Sequence, residues 1–251
     1  RNFCKYYKIK NININFHSDL PSFSGLASSS SLSVGLLNYF LKIRKKKNYS
    51  KYNLAHEAIK FERNILRENI GFQDQISISY GGMNYIKFNN NLFKVNKLKI
   101  SPKKKKFFEN NFFLLDSGIK RFSTLIQKNL IKSFEKSRIK NQHLSEMSKF
   151  VDIANNFLKS GDIDSFGRLL DEYWTLKVLS NPMAVNQEIK IIYDLAKKHG
   201  AIGGKLLGAG SGGFFLFYVP EKNKNNFFKL KKKFRILPLL ISEEGSKVYE
   251  I

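Results

Sequence analysis

Pro21-Ser22-Phe23-Ser24-Gly25-Leu26-Ala27-Ser28-Ser29-Ser30-Ser31 is the stretch on which the reading of this sequence turns. Its small residues let backbone close on a ligand. The apolar run that follows, Leu32 to Leu41, has the spacing of a buried helix whose N-terminus lies among the serines. Free N–H groups and the helix dipole at such an end favour an anion, and serine hydroxyls add donors to phosphate oxygens or ligands for a hard cation. Taken alone, the stretch reads equally well as a serine-rich linker or an ordinary N-cap cluster.

Downstream, Lys205-Leu206-Leu207-Gly208-Ala209-Gly210-Ser211-Gly212-Gly213 is a second glycine-rich loop, running into the apolar strand Phe214 to Val219. It is not a Walker loop, because its lysine precedes the glycines, and it opens a strand where a dinucleotide fold would open a helix. In isolation it is as consistent with a hairpin turn. Between the loops stand two acids, Glu62 and Asp74. Glu62 lies beside Phe61 on a helix expected over Ser50 to Glu68, with Leu54, Ala58, Phe61 and Ile65 on its apolar face. A charge there is costly unless it is paired or bound to metal. Phosphoryl transfer to a hydroxyl uses a carboxylate that accepts the proton and an acid that holds magnesium. Residue types alone leave a solvated Glu62 and a turn-forming Asp74 as the plainer reading.

The remaining chain reads as a mixture. A half-buried strand is expected at Ile12 to Phe16, a hairpin from Tyr85 to Phe88 and Leu92 to Val95 turned by Asn89-Asn90-Asn91, and a strand at Phe112 to Leu115. Helices are expected near 119–135, 142–159, 162–179 and 184–199. A further helix, a strand at Ile236 to Ile241 and a terminal strand near Val248 complete the pattern. Strands and helices do not alternate regularly, so the class is α+β. The lysine run around Pro102 marks a composition shift, which divides the chain into expected domains of 1–105 and 106–251.

Composition bounds the function classes. The chain has 251 residues, 42% hydrophobic, enough for a substantial core. Its formal net charge of +24 suggests an acidic partner when taken alone. The lysines, however, accompany abundant Asn, Ile, Phe and Tyr, the pattern of AT-rich codon drift, and no nucleic-acid-binding motif is present. Nucleic acid is therefore not expected as a partner, nor a membrane, since no apolar run is long enough to span one. The first ten residues carry no signal-peptide pattern, and the single cysteine, Cys4, agrees with a reducing compartment. The expected location is cytoplasmic. His17, His56, His143 and His199 have no metal-ligand spacing.

The two loops and the acidic pair, in this order, resemble the signature of the GHMP kinase superfamily. Pro21, Gly25, Leu26, Ser28 and Ser29 match its phosphate loop, and Lys205 to Gly213 matches its closing motif at every fixed position. Gly71-Phe72-Gln73-Asp74-Gln75, followed by Gly81-Gly82-Met83-Asn84, is similar to the sugar kinases of that superfamily. The four serines, Ser117-Gly118-Ile119-Lys120-Arg121, and Phe166-Gly167 with Leu169, Leu170, Trp174 and Lys177 resemble the D-glycero-D-manno-heptose 7-phosphate kinases. Core packing is the plainer role for Trp174 and Lys177. Arg121 reads equally as a phosphate contact or a surface residue.

The resemblance implies a ribosomal-protein-S5-like N-terminal domain and a ferredoxin-like C-terminal domain. It implies that the backbone of Gly25, Leu26, Ala27, Ser28, Ser29, Ser30 and Ser31 cradles the ATP phosphates, and that Ser29 and Glu62 hold Mg2+. It implies that Asp74 is the catalytic base or the acid that orients the hydroxyl, and that Gly208, Ala209, Gly210, Gly212 and Gly213 shape the site from the second domain. The expected reaction is ATP-dependent phosphorylation of a sugar or sugar phosphate at its anomeric hydroxyl, first of all the heptose 7-phosphate, for nucleotide-heptose and surface-polysaccharide synthesis. Galactokinase-like or fucokinase-like activity is an alternative, as is a catalytically weak nucleotide-binding fragment. The sequence departs from the family at Phe23 and Ala27, where glycines are usual, and lacks the Pro-x-Arg segment that precedes the serine loop, so the start of the N-terminal domain is expected to be missing. The oligomeric state is left open, a homodimer included.

Overall fold

A computed structural model of the chain describes residues 2–21, 24–44, 49–89, 92–119, 138–180, 185–208, 210 and 212–249. The expected helix near 119–135, with Arg121, lies outside these residues, as do most of the hairpin turn at Asn90 and Asn91, and Ala209 and Ser211 of the second loop. The chain divides into two compact units. One comprises Arg1–Ser22, Ala27–Gly81 and Glu244–Ile251, the other Phe23–Leu26 and Gly82–Glu243.

In its described residues the first unit is helical: α1 (Asn2–Tyr6), α2 (Ser28–Ile43), α3 (Lys51–Lys60), which continues into a wide π turn at Phe61–Ile65, and α4 (Gln73–Tyr80). Ser50 caps α3 by accepting from the Asn53 N–H at 3.1 Å. The face expected from the spacing of Leu54, Ala58 and Phe61 is buried, and meets Val34, Leu37, Phe40 and Leu41 of α2 and Phe3 of α1. The Phe3 ring stands edge-on to Phe61 at 5.4 Å and to Phe40 at 6.0 Å, the arrangement that aromatic quadrupoles favour.

Two expectations fail in this unit. Ile12 to Phe16 forms no strand, and Ile12 and Phe16 are exposed. Alternation marks which side chains could share a face, but a strand exists only when a neighbour pairs with it. The terminal segment near Val248 is likewise no strand. Its backbone polar groups are met irregularly instead: the Ser246 N–H donates to the Ile78 carbonyl at 2.8 Å, and Asn38 donates to the Ser246 carbonyl at 2.9 Å.

The second unit holds both sheets. β1 (Asn84–Asn89) and β2 (Leu92–Lys97) pair antiparallel from Asn84↔Lys97 to Asn89↔Leu92, as the hairpin reading expects. The lysine run around Pro102 is not a boundary between compact units. With Ser101 as N-cap and Pro102 in the first turn it forms α5 (Pro102–Asn111), because a helix N-terminus tolerates proline and lysine is a good helix former. Next come β3 (Phe112–Asp116), α6 (Arg138–Ser160), α7 (Ile163–Ser180) and α8 (Gln187–Lys198). Then follow β4 (Gly203–Leu206), β5 (Phe214–Tyr218), the short α9 (Lys224–Phe227) between 3-10 turns, and β6 (Ile236–Pro238).

β3 to β6 form an antiparallel sheet in the order β4-β5-β3-β6. The uniformly apolar β5 reflects burial on both faces. Phe215 and Phe217 join Trp174, Ile189, Tyr193 and Phe227, whereas Tyr218 joins Phe108, Phe112 and Ile163. Trp174 is core, stacked on Tyr193 at 5.1 Å. α7 approaches this sheet through glycines: a Cβ on Gly167 would stand 2.2 Å from the Tyr218 ring, and one on Gly203 2.1 Å from the Gly167 carbonyl oxygen.

Candidate active site

The serine loop is built as an open helix end. Ala27 occupies the N-cap of α2 in the left-handed conformation, φ 59 and ψ 31, with no side-chain cap, and its carbonyl accepts from the Ser31 N–H at 2.9 Å. That conformation suits glycine and disfavours alanine, which accounts for the family's usual glycine here. The first turn of α2 contains no acidic residue, so its amide N–H groups and dipole remain available to an anion. Ser22 and Phe23 lie outside the described residues.

The helix spacing of α2 turns Ser30, Ser33, Val34 and Leu37 inward, whereas Ser29 is exposed. It is therefore Ser30, not Ser29, that meets Glu62: its hydroxyl donates to Glu62 Oε2 at 3.0 Å. Gln75 joins them. Its Nε2 donates to the same oxygen at 2.5 Å and lies 3.2 Å from Ser30 Oγ. All three residues are buried, and Glu62 is only 1% exposed. Glu62 sits in the π turn, where Leu66 N–H reaches back to the Phe61 carbonyl at 3.0 Å. Such turns are frequent at functional sites.

Burial pushes the Glu62 carboxyl above the usual carboxylate range, and the polar side chains of Gln75, Ser33 and Ser30 around it offset this only in part. Glu62 Oε1 has no hydrogen-bond partner, nor has Gln75 Oε1. A buried, unpartnered carboxylate oxygen amid oxygen donors fits a hard divalent cation such as Mg2+. Among the described residues no group of three His, Cys, Asp or Glu side chains gathers to hold a metal. A cation here would rest on this one carboxylate, hydroxyls and ligand oxygens.

Asp74 is exposed in the first turn of α4, one residue before Gln75. The helix itself is a finding, since the sequence reading has only a short segment between Gln75 and Gly81. Because adjacent helical residues diverge, Gln75 turns inward to Glu62 while Asp74 faces solvent.

The second glycine loop belongs to the other unit. Gly208 (φ 69), Gly210 (φ 115) and Gly213 (φ 93) all have left-handed backbone, and a Cβ on Gly213 would stand 2.2 Å from the Ser24 carbonyl oxygen. That carbonyl accepts from the Phe214 N–H at 3.0 Å, and the Gly213 carbonyl accepts from Ser117 Oγ at 2.7 Å. Lys177, for which core packing is the plainer reading, reaches the loop: its ammonium donates to the carbonyls of Leu206 at 3.1 Å and Gly208 at 3.0 Å. Lys205 starts the loop with its ammonium 4.3 Å over the Tyr173 ring, and desolvation lowers its pKa. Ser117 and Lys177 stand within the quoted family motifs, but only their contacts reveal that they hold loop carbonyls.

Comparison with known proteins agrees with this architecture. Residues 1–82 match the GHMP kinases N terminal domain and residues 154–234 the GHMP kinases C terminal domain. The D-glycero-alpha-D-manno-heptose 7-phosphate kinase of Campylobacter jejuni is 30% identical over 239 residues, which cover 94% of this chain and 70% of that kinase. The chain belongs to the GHMP kinase family. A galactokinase of Thermotoga petrophila is also similar, at 24% identity over 90% of this chain and 70% of its own length. Among solved structures, a mevalonate kinase aligns with TM-score 0.72 and 25% identity over 97% of this chain and 74% of its own. A heptose-phosphate kinase structure from Bacteriodes thetaiotaomicron shares the fold, with TM-score 0.70 at 24% identity over 99% of this chain and 72% of its own.

Proposed function

We propose that the chain is an ATP-dependent sugar kinase that phosphorylates the anomeric hydroxyl of D-glycero-D-manno-heptose 7-phosphate. The observation that carries the reading is the buried Ser30–Glu62–Gln75 cluster, which ties an anion-accepting helix end, a buried acid and the helix of Asp74 together. The choice of sugar rests on the Campylobacter heptose kinase, the relative at 30% identity.

In this mechanism the N–H groups from Gly25 to Ser30 hold the ATP phosphates, and the Ser31 N–H, bonded to the Ala27 carbonyl, closes the first turn behind them. Glu62 and the hydroxyls of Ser29 and Ser30 would hold magnesium, which when bound would neutralise phosphate charge. Asp74 takes the proton of the sugar hydroxyl as the hydroxyl oxygen bonds to the γ-phosphorus, and the bond to the departing ADP oxygen breaks. The exposed position of Asp74 in the first turn of α4 supports that reading. A role for Gly208, Ala209, Gly210, Gly212 and Gly213 in shaping the site rests on the family resemblance.

The test is ATP turnover with a panel of heptose 7-phosphate, galactose, fucose and mevalonate. The reading expects heptose 7-phosphate to lead. A lead by galactose or fucose would move the substrate within the sugar kinases. Turnover with mevalonate alone would overturn the sugar assignment.

A further inference from the structure

In the buried cluster the two oxygens of Glu62 are not equivalent. Oε2 accepts from Ser30 Oγ at 3.0 Å and from Gln75 Nε2 at 2.5 Å, while Oε1 accepts from nothing. Gln75 is 1% exposed and Ser30 3% exposed, so water does not compete freely for these bonds. The orientation of the Gln75 carboxamide also follows from the contact. Turned over, it would set its own oxygen against Glu62 Oε2, two acceptors in a buried place, at a cost comparable to a lost hydrogen bond.

We infer that Gln75 is a positioning residue for the divalent cation. By occupying Oε2 it turns the carboxylate so that Oε1 is the oxygen left to a metal. The same side chain ties α4, which carries Asp74, to the first turn of α2, which carries Ser30. Ser79 supports the arrangement from one turn further along α4, where its hydroxyl donates to the Gln75 carbonyl at 2.7 Å. Ligating carboxylates are commonly held by outer partners in this way, and loss of such a partner costs about 10–100-fold in metal affinity. The inference rests on the reading of Glu62 as a magnesium-holding acid.

The experiment measures ATP affinity of the 251-residue chain by calorimetry, with and without magnesium, in wild type, Gln75→Met and Glu62→Gln. Methionine keeps the length and volume of glutamine but donates nothing. Gln75→Met is expected to lower the magnesium-dependent gain in ATP affinity, the ratio of affinities with and without the metal in the same variant, about tenfold. Glu62→Gln is expected to abolish the gain. A full gain in Gln75→Met, lost in Glu62→Gln, would overturn the role of Gln75 and leave the metal reading standing. A full gain in Glu62→Gln, or none in wild type, would overturn both. Circular dichroism checks that each variant folds. If methionine disrupts the core, Gln75→Asn keeps a carboxamide one methylene too short to reach Glu62, and it should show the same selective loss. Retention of the gain in either folded Gln75 variant refutes the inference.

Discussion

Glu62 is held at a cost. Its carboxyl is raised from the ordinary value of 4.5, chiefly by desolvation. A carboxyl whose pKa is higher in the folded chain contributes most favourably below the unfolded value, where both states are protonated. That contribution is lost as pH rises through the folded value. Without divalent cations, Glu62→Gln should therefore melt higher than wild type near pH 8, by a few degrees. The difference should close near pH 4, and thermal scans across that range check it. An opposite pH trend would mean that the carboxylate is stabilised in place. Ala27 offers a simpler case, because left-handed backbone costs an L-residue about 1–2 kcal/mol. Ala27→Gly should accordingly stabilise the chain by about 0.5–1 kcal/mol in urea unfolding. Asp74→Asn keeps the size of the side chain and removes the proton acceptor, so turnover should fall about a hundredfold or more while ATP affinity holds.

Among the elements, α7 carries the most consequence per residue. Gly167 lets it lie against β4 and β5, and its next turns supply Leu169 and Trp174 to the core and Lys177 to the carbonyls of Leu206 and Gly208. Gly167→Ala should destabilise the chain by about 1–3 kcal/mol, since its Cβ would press on the packed Tyr218 ring. Chemical denaturation measures this directly, and an unchanged midpoint would show that helix and ring can move apart. In α3 the change to a π turn at Phe61 is what brings a charged side chain into a helical core whose neighbours are apolar. Apolar spacing locates that helix but does not reveal the change of winding.

For the complete chain, ligand linkage is the broadest check. Binding only to the folded state stabilises it by mass action, by about 2.7 kcal/mol at a hundred times the dissociation constant. ATP with magnesium should raise the melting temperature, and the Ser29→Ala, Glu62→Gln pair should remove that rise. An unchanged rise would move the nucleotide site elsewhere. The family matches cover residues on both sides of the lysine run, and among the described residues no helix is long and apolar enough to cross a membrane.

Most helices, the hairpin, the strand at Phe112 and the two glycine loops were legible from periodicity, breakers and caps, because these depend on neighbours a few residues apart. The burial of Glu62 was not: its seat beside an apolar stripe raised the question, but residue types favoured a solvated acid, and the π turn and the partners that bury it join distant segments. Spacing could not tell that Ser30 rather than Ser29 meets it, since that bond joins residues 32 apart and depends on which face of α2 the core claims. Nor could it tell that Gln75 completes the cluster. The alternation at Ile12 to Phe16 describes a strand that never forms, because pairing is a property of two segments and alternation a property of one. Local chemistry set which segments could be helix, loop or acid; long-range packing chose their partners.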